Sequence, residues 1–528
     1  MEKSPDFVGG AVVLTAAALV VKVLGALYKI PLGNLLDSQG MAHFHVAYNI
    51  YNFLLLLSTA GLPLALSRLV AKAAALGQER QARRLFHVAL GLFLVPGLGF
   101  GGVMWLWPEA LARLLRDTQA APAIRALGPA VLAVCLLAAF RGYTQGRGDM
   151  LPTAVSQIVE ALGKLGLGLP LAWWLLRRGE SPALAAAGAI FGVSAGAVLA
   201  LGLVAAWQVL RWRPCRSGDV PQRCGQIARQ LLGIGLPITL GAGGMSALTL
   251  LDQLLVMDTL QSALGYSEAR AAALYGEYTF SSCLFTLPAA FVTPLTVSLL
   301  PAITAALARN DRGRAVMLTR RAVALALWVS FPAGVGLRVL AEPVLRFLFP
   351  AVPGTAEAAA GHLRILALAC PFVCLMLVTS GVLQAWGRER WPVWVLLLGS
   401  GVKIAVNRAL VAQPAIGIRG AAVGTLCGYG FIALVQLALV GRLVRGHLLR
   451  SAWRPLLAAG GMGLVVRGFW PVLDTVCGRL SVPGAVALGC GFYLLACFLL
   501  GCLPRSVFRS LPKGEKIADF LKIGVTSP

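Results

Sequence analysis

Long apolar runs recur along almost the whole chain, and short polar loops separate them. A helix needs roughly 20 mostly apolar residues to cross the hydrocarbon core of a bilayer. The period-two alternation of a membrane β-barrel is missing from these runs. The pattern therefore predicts an all-α integral membrane protein with about fourteen transmembrane helices, at residues 7–30, 44–70, 86–107, 123–144, 151–176, 183–210, 228–257, 274–303, 316–340, 359–385, 392–411, 419–441, 454–472 and 484–503.

Composition and charge support the same class of protein. Of the 528 residues, 58% are hydrophobic and 13% are charged, whereas soluble globular proteins carry about 25% charged residues. In a soluble protein, the formal net charge of +25 would suggest a nucleic-acid partner. Here the 46 Lys and Arg lie mainly in short loops on one side, which is the positive-inside pattern. This bias predicts a multi-pass protein of the cell membrane with both termini in the cytoplasm and no nucleic-acid partner.

Polar and proline landmarks recur in the same order in the two halves of the chain. The stretch 47–52 matches the stretch 274–279, and each is followed by a proline and a serine at similar spacing. A second match joins residues 145–164 with residues 384–403, and both segments end on a lysine. These matches indicate an internal repeat of six helices.

The repeat predicts how the chain is organised. We expect an N-terminal six-helix bundle over residues 1–215, a C-terminal six-helix bundle over 216–445, and an added helix pair with a basic cytoplasmic tail over 446–528. Because six is an even number, the two bundles would share one orientation and be related by a pseudo-two-fold axis along the membrane normal. Transporters built in this way bind substrate between the repeats, near the midplane of the bilayer.

Lysines in the first helix are the first candidates for a substrate site. Charges inside spans are costly and usually mark a pathway or an ion pair. Lys22 lies in the middle of this helix, with Gly25 and Lys29 on the same face. A lysine there can receive an anionic group inside a cavity, and the alternative is that its side chain reaches the membrane interface. Lys29 is close enough to the helix end for that alternative, whereas Lys22 is not.

The fifth and eleventh helices carry a second set of candidates. Glu160 and Lys164 are one turn apart in the order that favours an ion pair, so a self-neutralised pair and a role in a cavity both stay open. Lys403 and Asn407 form the counterpart in the other half. Lys403 has no acid one turn away, so its partner must come from another helix, from water or from a ligand.

Four further polar residues complete the candidate set. Asn49 and Asn52 on the second helix present amides that can contact sugars. Asp252 and Glu277 are the main intramembrane acids of the second half of the chain. They could bind a coupling proton or sodium ion, and structural pairing with a lysine is the open alternative.

The sequence contains no constellation typical of catalysis or of metal binding. Gly163 and Lys164 are followed by Leu165 inside a span, so there is no Walker A loop for ATP. The five histidines show no zinc spacing, and the eleven cysteines are scattered, mostly in apolar segments where Cys acts as a small hydrophobe. The loops are also too short for a glycosyltransferase or acyltransferase site. We therefore expect no enzyme activity, no cofactor and no metal site.

Several stretches resemble a known family of membrane proteins. They are Lys22–Pro31 in the first helix, Tyr48–Asn52 and Ser58–Pro63 in the second, and Leu236–Thr239 with Leu251–Asp252 in the second half. Together they resemble the stage V sporulation protein B branch of the polysaccharide flippases, within the multidrug/oligosaccharidyl-lipid/polysaccharide (MOP) exporter superfamily. The resemblance spans essentially the whole chain, and the stretch in the second helix is its most specific part.

This resemblance implies two six-helix bundles around a V-shaped cavity. It also implies export of undecaprenyl-diphosphate-linked sugars by alternating access without ATP. Lipid II flippases of the MurJ type add a helix pair that forms a groove for the lipid tail, as predicted helices 13 and 14 would. They also place cavity arginines in the first two helices. Lys22 stands at the first of these positions, but the stretch Leu54–Leu57 has no arginine, so another lipid-linked glycan stays open as the substrate.

The sequence thus predicts a flippase for a lipid-linked oligosaccharide, with the peptidoglycan precursor lipid II as the expected substrate and a role in cell-wall synthesis or sporulation. Its partners would be that substrate, membrane lipids and a coupling H⁺ or Na⁺. A diphosphate cannot cross hydrocarbon unaided, and lysines in a wet cavity would offset its desolvation. Two alternatives stay open: a drug/cation antiporter of the same superfamily, whose cavity would favour acids, and a scaffold of a cell-wall or sporulation complex that does not transport.

Overall fold

A computed structural model describes residues 7–211, 217–444, 448 and 452–502. Within these ranges the chain is almost entirely helical and contains no strand, which confirms the predicted all-α class. Residues 212–216, which contain Arg213 and Arg216 and span the boundary of the two predicted bundles, and the basic tail from residue 503 onward lie outside the described residues.

The described residues form twenty α-helices. They are α1 (Phe7–Leu35), α2 (Ser38–Thr59), α3 (Leu62–Ala75), α4 (Glu79–Leu106), α5 (Pro108–Leu114), α6 (Ala121–Gly146), α7 (Leu151–Gly163), α8 (Leu169–Arg177), α9 (Pro182–Leu210), α10 (Cys224–Ser262), α11 (Glu268–Phe285), α12 (Leu287–Ala308), α13 (Arg312–Val339), α14 (Ala341–Leu348), α15 (Pro353–Leu366), α16 (Cys370–Ala385), α17 (Arg390–Val411), α18 (Arg419–Val444), α19 (Trp453–Cys477) and α20 (Ser481–Leu499).

Twelve helical segments of the described residues are long and apolar enough to cross a membrane, and they correspond to twelve of the fourteen predicted spans. The other two predicted spans, 228–257 and 274–303, fall on α10 and on the α11–α12 pair, which are not among the twelve. The polytopic architecture is therefore confirmed, whereas the count of fourteen is not.

Local sequence signals set where several helices begin. Asp37 caps α2 by accepting a hydrogen bond from the amide of Gly40 at 2.7 Å. Ser181 caps α9 in the same way through the amide of Leu184 at 3.3 Å. Caps of this kind typically contribute about 1 kcal/mol to stability. Pro63 lies in the first turn of α3, where its missing amide proton is not needed.

The predicted helix 44–70 is broken, because α2 ends at Thr59 and α3 begins at Leu62, one residue before a proline. A similar break separates α11 from α12, which begins at Leu287 and also continues with a proline. Both breaks follow the segments that match in the predicted repeat. The positions of the two breaks agree with an internal repeat, although the bundle boundaries at 215 and 445 stay predictions.

Contacts divide the chain into two compact units, the first of which comprises Met1–Phe280, Leu348–Ala356 and Ile404–Ala421. Helix α6 lies at its centre and packs against α2, α3, α4 and α9. Helix α10 packs against α2, α3 and α4 in the same unit. Any polar side chain on the inner faces of α2, α6 or α10 is therefore surrounded by helices.

Glycines allow two very close backbone contacts in the first unit. A Cβ added at Gly61, between α2 and α3, would lie 2.0 Å from the carbonyl oxygen of Gly235 in α10. The Gly61 amide also donates a hydrogen bond to Oγ1 of Thr239 at 3.1 Å. A Cβ added at Gly276 in α11 would lie 1.8 Å from the carbonyl oxygen of Ser38. Small residues at interfaces are a common means of packing membrane helices closely.

The end of α1 holds the loop that follows α14. The side-chain amide of Asn34 donates to the carbonyl oxygen of Leu348 at 2.6 Å, and the amide of Ala351 donates to Oδ1 of Asn34 at 3.1 Å. Beside this exchange, the rings of Phe280 and Phe349 meet edge to face with centroids 4.8 Å apart. One asparagine thus satisfies two backbone groups of a distant loop and ties it to the first unit.

The loop between α9 and α10 is fastened to the start of α4. The Asp219 carboxylate accepts hydrogen bonds from the amides of Arg80 at 3.1 Å and Gln81 at 2.8 Å, as a helix N-cap would. The amide of Gln222 donates to Oε1 of Gln81 at 2.7 Å. Although desolvation acts in the opposite direction, hydrogen bonds from Ser217 and from the two amides lower the pKa of Asp219 below its usual value.

The second unit comprises Ser281–Phe347, Glu357–Lys403 and Ala422–Pro528. Its main core lies between α12, α13, α16 and α18, where Gln436 accepts hydrogen bonds from the side chains of Thr379 at 2.8 Å and Ser380 at 3.0 Å.

Helices α19 and α20 form a pair at the end of the described chain. They pack against each other and against α13, with a separate apolar cluster between them. The hydroxyl of Tyr493 donates to the carbonyl oxygen of Trp328 at 2.8 Å and ties α20 to α13. The residues predicted to form an added helix pair therefore do pair, within the second unit.

Candidate functional site

Lys22 and Lys29 both have exposed side chains on α1. A different face of this helix is anchored, because the hydroxyl of Tyr28 donates to the carbonyl oxygen of Ala189 in α9 at 3.0 Å. Helix α1 also packs against α7, and Lys29 lies within electrostatic range of His45 in α2. The helix is thus fixed on one side while its two lysines are presented on another.

Asn49 is paired across the interface between α2 and α10. Its side-chain amide donates to Oε1 of Gln253 at 2.5 Å. The Nε2 atom of Gln253 is buried and has no hydrogen-bond partner among the described residues. Asn52, almost one turn further along α2, is half-buried. Asn49 therefore lies where α2 faces α10, and one buried donor there has bonding capacity left for a ligand or a water.

Asp252 and Asn407 are brought together, although 155 residues separate them in the sequence. The Asn407 side-chain amide donates to Oδ1 of Asp252 at 2.5 Å. Its own Oδ1 is buried without a hydrogen-bond partner among the described residues. Asp252 and Gln253 are adjacent on α10. This helix therefore contacts α17 through Asp252 and α2 through Gln253. A carboxylate and amide oxygens are ligands that can hold a proton or a hard cation.

Glu160 forms an ion pair with Arg141 of α6, and not with Lys164 as the one-turn spacing suggested. Nη2 of Arg141 lies 3.2 Å from Oε1 of Glu160, and its Nε donates to Oγ of Ser156 at 2.8 Å. Arg141 was not among the candidates predicted from the sequence. The sequence did contain a signal for Arg141, because an arginine inside the predicted span 123–144 is itself an intramembrane charge.

Lys164 begins a short π-helical segment, Lys164–Gly168, between α7 and α8. The wider turn changes the direction of the side chains that follow α7, and such segments are frequent at functional sites. Its Nζ lies 5.8 Å from the ring centroid of Tyr48 in α2. Tyr48 in turn lies beside Tyr51, with centroids 5.7 Å apart. The lysine therefore faces the aromatic side of the helix that carries the sugar-contact candidates.

The remaining two candidates are Lys403 and Glu277. Lys403 belongs to the second unit, where it is half-buried on α17 next to Gly428 of α18. Glu277 is half-buried on α11, directly after the close glycine contact at Gly276. Within the described ranges, no group of three or more His, Cys, Asp or Glu side chains is arranged to hold a metal ion.

Two family profiles match the chain. The profile described as polysaccharide biosynthesis protein matches residues 7–307, and the profile described as MatE matches residues 243–408. The first covers more than half of the chain and includes most of the candidate residues. The second covers Asp252, Glu277, Lys403 and Asn407.

Individual relatives match over nearly their full length. The chain is 26% identical over 528 residues to the uncharacterized membrane protein YabM of Bacillus subtilis, covering 97% of this chain and 96% of that protein. It is 26% identical over 517 residues to stage V sporulation protein B of Bacillus subtilis, covering 96% of each. Among solved structures, the lipid II flippase MurJ in an inward closed conformation matches with a TM-score of 0.69 at 16% identity, covering 92% of this chain and 98% of that one. The likeness therefore extends over the whole fold.

Proposed function

This chain belongs to the polysaccharide biosynthesis protein family, and we propose that it moves the peptidoglycan precursor lipid II across the cytoplasmic membrane by alternating access. Family and fold are those of membrane flippases and transporters of the MOP superfamily, not of catalytic enzymes. The proposal goes further in naming lipid II, and it draws on the stage V sporulation protein B and MurJ relatives. It also includes a topology with both termini in the cytoplasm.

One observation carries the choice of an anionic, sugar-bearing substrate. Inside the first unit, Arg141 lies on α6, which packs against α2, and Nζ of Lys164 lies 5.8 Å from the ring centroid of Tyr48 in α2, a helix that also carries Asn49 and Asn52. Two fixed cations offset the desolvation of a diphosphate, which would otherwise exclude it from the bilayer. Amides and phenols supply hydrogen bonds to sugar hydroxyls. Lys22 and Lys29 on α1 are proposed to guide the same headgroup.

We propose that Asp252 binds the coupling ion, with the Asn407 amide as its partner. The unsatisfied oxygen of Asn407 beside the carboxylate supports this role. Replacing Asp252 by Asn keeps the shape of the side chain but removes its charge. Transport by this variant should no longer respond to an imposed H⁺ or Na⁺ gradient. Undiminished gradient dependence would exclude Asp252 from coupling.

The lysines provide the test of the substrate class. In cells expressing the chain, Lys164→Ala and Lys22→Ala should each lower the amount of lipid II that reaches the outer face of the membrane. Lys72→Ala, at the exposed end of α3, is the matched control and should leave it unchanged. If Lys164→Ala translocates as well as Lys72→Ala after confirmed membrane insertion, the lysine is not part of the substrate site.

A drug/cation antiporter is the second candidate, because the MatE profile matches residues 243–408. The two functions differ in the charge of the cargo, since a cationic drug is favoured by carboxylates and repelled by the lysines. Resistance to cationic drugs should therefore be measured in the same cells. Drug efflux without translocation of lipid-linked glycan would favour the antiporter, and translocation without efflux would favour the flippase.

A further inference from the structure

The ion pair between Arg141 and Glu160 lies inside the first unit. Arg141 is on α6, the helix that packs against α2, α3, α4 and α9, and only 15% of its side chain is exposed. The Glu160 side chain on α7 is 21% exposed. Charged groups at such positions in membrane proteins usually mark a pathway or a structural pair.

Arg141 holds its carboxylate partner less closely than Arg147 does. Its guanidinium makes one contact with Glu160 at 3.2 Å, whereas charge-assisted bonds are usually about 2.7–2.9 Å. Arg147, just beyond the end of α6, donates to both carboxylate oxygens of Glu79, from Nη1 at 2.7 Å and from Nη2 at 3.1 Å. Among the hydrogen bonds of the described residues, Nη1 of Arg141 takes part in none. The guanidinium is therefore held by Ser156 through Nε at 2.8 Å and by Glu160 through one longer contact, and it keeps an unused donor at Nη1.

The surroundings of the pair favour an anion. Tyr51 of α2 lies within electrostatic range of both Glu160 and Arg141, and its neighbour Tyr48 lies under Nζ of Lys164. Two cations thus share this region with one acid. A diphosphate offers more acceptor oxygens and more negative charge than one carboxylate, so it can outcompete Glu160 for the guanidinium.

We propose that Glu160 is a built-in counter-ion, which occupies Arg141 while the site is empty and gives way to the substrate diphosphate. Arg141 is then the second phosphate-binding cation, beside Lys164. This inference rests on the proposed function, and it adds a role for Glu160 and a means of release. When the diphosphate leaves, Glu160 returns to Arg141 and keeps the empty site from holding an uncompensated charge, which would be costly at this depth.

The proposal predicts that removing the charge of Glu160 raises the affinity for a diphosphate, whereas a purely structural ion pair predicts no such rise. Glu160→Gln keeps the size of the side chain but removes the competing charge, so it should bind a prenyl diphosphate several-fold more tightly than the wild type. Arg141→Ala should bind it roughly tenfold more weakly, as expected for the loss of a charged hydrogen bond. Arg141→Lys should recover part of that loss. Glu79→Gln, which frees Arg147 in the same way, is the matched control and should leave affinity unchanged.

The experiment measures binding of farnesyl diphosphate to the full chain in lipid nanodiscs, together with the thermal stability of each variant. The gain from Glu160→Gln should disappear when Arg141 is also replaced by Ala. Glu160→Asp, which withdraws the carboxylate by one methylene, should give a smaller gain in affinity. It replaces the Gln variant in the test if that variant does not fold. Weaker or equal binding by the Glu160 variants, with wild-type binding intact, would overturn the counter-ion while leaving the proposed function standing. A wild type that does not bind farnesyl diphosphate would overturn both.

Discussion

Replacing Gly61 by Ala should weaken the contact between the α2–α3 break and α10. The added Cβ would lie 2.0 Å from the carbonyl oxygen of Gly235, whereas ordinary contacts begin at 3.4 Å. The two helices would therefore have to separate by about 1.4 Å at this point. Overpacking of this kind typically costs about 1–3 kcal/mol. The separation would also stretch the hydrogen bond from the Gly61 amide to Thr239.

Thermal unfolding of the purified protein in a single detergent measures this cost. Gly244→Ala on α10 and Gly91→Ala on α4 are matched controls, because a Cβ at either position meets nothing within 4 Å. Alanine is the better helix former by roughly 1 kcal/mol, so the controls should melt at or above the wild-type temperature. Gly61→Ala should melt clearly below both controls. If Gly61→Ala melts at the same temperature as the controls, the backbone contact does not stabilise the protein and the reasoning fails.

Three further predictions concern individual hydrogen-bonded contacts. Because the pKa of Asp219 is lowered in the folded protein, its clamp on α4 should be present above the usual carboxylate pKa and be lost as the pH falls through the lowered value. The protection of the Arg80 amide against hydrogen exchange, relative to its intrinsic rate at each pH, should then fall; unchanged protection would contradict the clamp. In unfolding experiments, a double-mutant cycle with Asn49→Ala and Gln253→Ala should give a coupling free energy between the two side chains of about 0.6 kcal/mol, up to about 1.7 kcal/mol. Zero coupling would show that the two amides do not form a hydrogen bond. Tyr493→Phe should lower the unfolding free energy by about 0.5–1.5 kcal/mol through loss of its bond to α13, and an unaltered value would mean that water replaces it.

The fold class could be predicted because the length of an apolar run is visible in the sequence itself. The break between α2 and α3 was also signalled, by a glycine and a proline within one predicted helix. The number of spans was harder to predict at two places. There α10 is one helix of 39 residues, and the predicted helix 274–303 forms two helices, α11 and α12. Run length alone does not show where a membrane ends along such segments.

The contacts that the candidate residues make were not visible in the sequence. Asn49 and Asp252 were chosen as isolated polar groups, and their partners Gln253 and Asn407 lie 204 and 155 residues away. No local spacing encodes contacts of that separation. The helices α2, α10 and α17 meet only in the folded chain.

Of the two interpretations left open for Glu160, the one-turn pair with Lys164 is not formed, for a different reason. One-turn spacing assumes a continuous α-helix, and a π-helical segment begins at Lys164. This segment packs against α9 through glycines, with a Cβ at Gly168 meeting the carbonyl oxygen of Ala189 at 2.4 Å and one at Gly192 meeting the Gly168 amide at 2.4 Å. The irregular turn therefore belongs to the fit between two helices and is not visible from α7 alone.

Translocation in liposomes tests the central claim most directly. The purified chain would be reconstituted with fluorescent lipid II, and a membrane-impermeant quencher would report the fraction of label on the inner leaflet. With the wild-type chain, the protected inner-leaflet fraction should become accessible to the quencher, and Lys164→Ala should slow this process markedly. A protected fraction identical to that of protein-free liposomes, with the protein correctly inserted and an ion gradient imposed, would contradict the account.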